Sequence, residues 1–173
     1  MTIGLKRGVV KLLPYDEDWK TEFEAEKQRL FDVFGDKIIA IEHIGSTSMP
    51  GAHAKPIIDL LVGVHSIKEA PDFVAGLEKL GYQYIPEEWS DGRCFFPKGT
   101  DERITHHLHL VEVTSAKEWK DPLLFRDYLV DHPQTLNEYI ALKQNLAEQY
   151  ANDRHQYTEL KGGFIKSILD LTK

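Results

Sequence analysis

Cysteine is almost absent from this 173-residue chain, where Cys94 stands alone. One thiol excludes an internal disulfide and a thiolate zinc cluster, and reads most simply as a small buried apolar residue. Basic charge is also scarce. With 21 Lys and Arg against 28 Asp and Glu, the formal net charge is −7. That balance argues against an extended nucleic-acid footprint but leaves room for a local patch that takes a small anion. No stretch approaches the ~20 uninterrupted apolar residues of a membrane span. Residues 1–7 carry neither the apolar run nor the cleavage site of a signal peptide. The expectation is a cytoplasmic protein without a membrane partner. The length suits one domain, 1–173, that buries roughly 70% of its unfolded surface.

What is present divides into a β-rich first two thirds and a helical last third. Residues 9–13 read as a short strand stopped by Pro14. Trp19, Phe23, Leu30, Phe31 and Phe34 recur at helical spacing over 16–34, with Asp16 as a start and Gly35 as a stop. Residues 37–44 and 56–64 read as strands covered on both faces. A helix is expected over 66–81, short strands at 82–86 and 94–97, and a long strand at 104–113. Three helices follow, near 116–130, 134–150 and 155–171. The fold class is therefore α+β: a mixed β-sheet packed with helices, plus a C-terminal segment of about three helices.

Two segments carry chemistry. The first runs from the small-residue turn Gly45-Ser46-Thr47-Ser48 to Asp59, an acid flanked by Ile57-Ile58 and Leu60-Leu61-Val62. Burying a carboxylate in such a strand is costly without a partner. A cation, a metal or a hydrogen-bond donor is expected beside it; the plainer alternative is that Asp59 caps a strand end or pairs with Lys55. The second is His106-His107-Leu108-His109. Alternation puts His107 and His109 on one face and His106 on the other. Two imidazoles so placed can ligate a metal, bind phosphate or exchange protons, or form a satisfied cluster without a role. His43 can join the same pocket or serve structure. On the C-terminal helices, Tyr139–Lys143 and Tyr157–Lys161 are i, i+4 pairs. They suit a triphosphate or an adenine, and equally a face of snorkelling lysines. Arg126 can reach a phosphate or pair with Asp127.

These residues resemble the GrpB family of small bacterial proteins. The resemblance rests on Glu42-His43-Ile44-Gly45-Ser46-Thr47-Ser48-Met49-Pro50-Gly51, Ala54-Lys55-Pro56-Ile57-Ile58-Asp59-Leu60-Leu61-Val62, His107-Leu108-His109 and Phe125-Arg126-Asp127-Tyr128-Leu129. It spans nearly the whole chain. It implies a nucleotidyltransferase-like fold, in which Gly-Ser is followed by a strand bearing two acids and a later strand bearing a third. Those acids hold two magnesium ions on the nucleotide phosphates. Here Leu61 stands where the second acid belongs, and His107 and His109 stand near the third.

The resemblance thus implies a nucleotidyl transfer from a nucleoside triphosphate to an unidentified acceptor. Asp59, His107 and His109 would be catalytic, and with Glu42 would hold a divalent metal, Mg, Mn or Zn. Gly45, Ser46, Thr47, Ser48, Lys55, Arg126, Lys143 and Lys161 would bind phosphate or nucleotide. Two alternatives stand beside it: a non-catalytic nucleotide-binding or accessory module, and a metal-dependent phosphohydrolase.

Overall fold

The computed structural model describes residues 3–172, so positions 1, 2 and 173 of the expected domain lie outside the described residues. Four strands make one mixed sheet: β1 (Ala40–Ile44), β2 (Ile58–Val64), β3 (Arg93–Thr100) and β4 (Arg103–Glu112), in the order β1-β2-β4-β3. β2 runs antiparallel to β1 and parallel to β4, and β3 closes an antiparallel hairpin with β4. Among the described residues the sheet is joined by five α-helices: α1 (Asp18–Phe34), α2 (Pro71–Lys79), α3 (Asp121–Asp131), α4 (Pro133–Gln149) and α5 (Arg154–Thr172). The α+β class, the mixed sheet and the three C-terminal helices are as the sequence predicts. Among the described residues no helix is long and apolar enough to cross a membrane.

β2 is nearly all apolar because both of its faces are covered. Ile58, Leu60, Val62 and Val64 join the main core with Trp19, Phe23 and Leu30 of α1 and Phe73 and Leu77 of α2. Leu61 points the other way and packs with Ile44 and Val111 beneath Trp119 and Leu123. α1 starts where the Asp16 carboxylate accepts the Asp18 N–H and stops at Gly35, whose φ of 52° turns the chain away. Met49 and Ala52, just past the Gly-Ser turn, are buried among Phe125, Leu129, Leu136, Tyr139 and Ile168 of the helices. That second core clamps the turn between the sheet and the helical layer.

Two expected strands are not formed. Residues 9–13 make only the single bridge Leu13–Ala54, because Val10 is buried against Leu146 and Tyr157 rather than paired in the sheet. Residues 82–86 make only the bridge Tyr82–Lys98 before a 3-10 turn at Pro86–Glu88, as Pro86 cannot donate to a ladder. The first C-terminal helix opens as a π-helical turn, Ala116–Lys120, before α3.

Candidate functional site

Parallel pairing sets Asp59 level with His107 and Leu61 level with His109. Asp59 and both imidazoles therefore project from one sheet face, while His106 projects from the other, where its Nδ1 meets Thr105 Oγ1. Asp59 Oδ1 lies 3.1 Å from His107 Nδ1 and 3.8 Å from His109 Nε2. The Asp59 side chain is 28% exposed and that of His107 6%, so the acid meets the cavity and the imidazole stands behind it.

Burial disfavours charge on Asp59, but His107 and His109 outweigh it and hold the carboxyl well below the usual range. Burial lowers His107 to about 4 despite the acid beside it. At neutral pH the pair is an aspartate accepting Nδ1–H from a neutral imidazole. His107 Nε2 and His109 Nδ1 are buried without a hydrogen-bond partner. Gly45 is required where it stands. Its φ is 71°, and a Cβ there would meet Asp59 Oδ2 at 2.5 Å, so only glycine lets the turn lie against the acid.

A cavity of about 200 Å3 opens from this face, lined by Ser46, Lys55, Asp59, His107, His109, Lys143, Arg154 and Lys161 among others. Three lysines and an arginine surround one carboxylate, in a chain whose net charge is −7. Burial, Lys161 and Lys55 lower Lys143 to about 7. Burial, Arg154 and Lys161 lower Lys55 to about 7 against the pull of Asp59. Lys161 falls to about 8, through burial and Arg154, with Asp59 opposing. Lys143 Nζ donates to Ser46 Oγ at 2.7 Å and to the His53 carbonyl. It lies over the Tyr139 ring, and Lys161 lies over Tyr157 at 4.5 Å from the centroid. Both i, i+4 Tyr–Lys pairs thus face the cavity. Desolvated cations crowded together are costly unless an anion joins them.

The other expected site residues part company here. Glu42 pairs with Arg126 at 2.9 Å, and Arg126 also donates to the His43 carbonyl. Arg126 and Ser48 line a different cavity, with Tyr15, Phe23 and His43. Ser48 Oγ donates to the Gly45 carbonyl and shapes the turn. Thr47 borders both cavities but bonds His43 Nε2 at 2.9 Å, and His43 stacks on Phe23. Arg154 also lines the cavity and belongs to none of the sequence motifs, although its spacing to Tyr157 and Lys161 puts all three on one helix face. Cys94 is buried, as expected.

Residues 9–171 match the family model described as GrpB protein. The chain belongs to the GrpB family. It is 41% identical over 172 residues to the glutamate-rich protein GrpB of Alkalihalophilus pseudofirmus, covering 97% of this chain and 98% of that one. It superposes on the crystal structure of conserved protein GrpB from Enterococcus faecalis with a TM-score of 0.85, 35% identity, and coverage of 93% and 96%. A more distant relative is the dephospho-CoA kinase of Mycolicibacterium paratuberculosis, 25% identical over 92% of this chain but only 45% of that protein.

For this GrpB chain, the residues do not fit a resident divalent metal. Among the described residues no group of three or more His, Cys, Asp or Glu side chains is arranged to hold one. Asp59 Oδ1 already accepts from His107, Glu42 is drawn off by Arg126, and four cations line the same cavity. Leu61 is fully buried beside Trp119, so the position two residues after Asp59 on the same sheet face offers carbon and no second carboxylate.

Proposed function

We propose that this GrpB chain binds the phosphates of a nucleotide in the cationic cavity beside Asp59. The observation that carries the reading is the gathering of Lys55, Lys143, Arg154 and Lys161 around one carboxylate in an acidic protein. A phosphate chain answers the charge that these groups leave uncompensated. The binding-module reading is the one the geometry supports best, because Leu61 sits in an apolar cluster and no preset metal cage accompanies Asp59. The likeness to part of a protein named dephospho-CoA kinase is in keeping with a phosphate-bearing ligand.

Nucleotidyl transfer is the second reading, favoured by one observation. Asp59 is partly exposed at the cavity wall with His109 beside it, as a group receiving an acceptor's proton would be. Mg, Mn or Zn belongs to this reading as an ion arriving on the ligand's phosphates. Metal-dependent phosphohydrolysis draws less support, since His107 is turned onto Asp59.

Calorimetry with ATP, with and without Mg2+, tests the proposal. Saturable binding that weakens tenfold or more in Lys161→Gln supports it, and unchanged heats in that variant contradict it. Pyrophosphate release with an added acceptor would move the assignment from binding to transfer.

A further inference from the structure

A second cavity, of about 450 Å3, adjoins the first. Gly45, Asp59, His109, Tyr139 and Lys161 line both. Beyond that shared wall the character changes. Ile44, Pro122, Phe125, Ile165 and Leu169 present carbon, and neither cavity is lined by an Asn or Gln amide. Four charged residues also border it: Glu118 pairs with Arg93 at 2.8 Å and with Lys117 at 3.3 Å, and Asp121 stands next to Pro122 in the wall.

We propose that one ligand lies across both cavities, with its phosphates among the lysines and its organic body in the apolar cavity. The bond joining the two halves then sits at the shared wall, beside Asp59 and His109. This rests on the phosphate reading above and deepens it, because it specifies the ligand class: a phosphate ester or anhydride whose body is held by packing. The argument is one of space and polarity. The cationic cavity, at about 200 Å3, takes a short phosphate chain and little more. An attached body must leave it, and the five shared residues mark the way into a cavity that is mainly carbon-walled and more than twice as large. Pockets of this kind, mainly carbon with a few convergent polar groups, are the usual form of small-molecule sites. With Ile44, Pro122, Phe125, Ile165 and Leu169 as its carbon wall, the cavity holds the body chiefly by packing, with Arg93, Lys117, Glu118 and Asp121 at its border.

Two probes separate the halves: inorganic tripolyphosphate, which has only the charged part, and ATP, which has both. Leu169→Trp fills the apolar cavity from a partly buried position on α5. The expected result is that wild type binds ATP more tightly than tripolyphosphate. Leu169→Trp then weakens ATP tenfold or more and leaves tripolyphosphate within twofold. ATP affinity within twofold of wild type overturns the proposal, as does equal wild-type affinity for the two probes. If tripolyphosphate fails to bind wild type, the phosphate reading itself falls, which is a separate outcome. Should Leu169→Trp fail to fold, Ile165→Tyr, one turn earlier on the same helix face, is read by the same criteria.

Discussion

Asp59 Oδ1 accepts the Nδ1–H of His107 at 3.1 Å, across the rung where β2 and β4 run parallel. The bond fixes the tautomer of the imidazole and leaves Asp59 charged among cations. Asp59→Asn keeps the volume and removes that charge. Because Asp59 raises the pKa of His107, its loss leaves the buried imidazole neutral to still lower pH. An NMR titration of the ring nitrogens reads the shift, and an upward move contradicts the pairing. The same variant removes a negative charge from the cationic cavity, so the phosphate proposal predicts that tripolyphosphate binds it more tightly than wild type.

The phosphate proposal predicts that binding takes up protons. Lys55 and Lys143 titrate at about 7 and Lys161 at about 8, so part of the cluster is neutral at pH 8. A bound anion favours the charged forms and raises all three. Affinity therefore rises as pH falls from about 9 toward 7. Calorimetry in two buffers of different ionisation enthalpy measures the protons directly, and identical heats in both would contradict it.

Acid weakens the fold through its buried histidines. His43, His106 and His107 each sit at about 4, lowered chiefly by burial, against about 6.5 in an unfolded chain. The unfolded state binds protons first. Their contribution is complete above pH 6.5 and is lost as pH falls toward 4. Urea unfolding should show stability falling steadily across that window, with protons taken up on unfolding. A flat profile from 6.5 to 4.5 contradicts the assignment.

Leu61 is an anchor. It packs with Ile44, Val111, Trp119 and Leu123, so Leu61→Ala costs roughly 2–5 kcal/mol in chemical denaturation. Leu61→Asp leaves an unpaired charge among carbon and costs more. Folding of Leu61→Asp with wild-type stability would mean that the cluster tolerates an acid.

Much of the site was legible because its signals are local. An acid in an apolar strand, a His-x-His alternation and Tyr–Lys pairs at i, i+4 each fix a face without knowledge of the partner. The layered fold was legible for the same reason, since β2 has no polar face to expose. Long-range choices were not legible. Arg126 has an acid next to it in sequence and phosphate elsewhere to seek, yet it also reaches Glu42, 84 positions away. Residues 9–13 have a strand's composition, but Val10 finds its partners on α4 and α5 instead of in the sheet. Sequence spacing carries no record of which distant surface wins such a side chain.

The most direct test of the central claim is a crystal structure at saturating tripolyphosphate. The account predicts phosphate density in the cavity between Asp59 and the helices, in contact with Lys143, Arg154 and Lys161. Density at the Arg126 cavity instead, or none at either place, would contradict it.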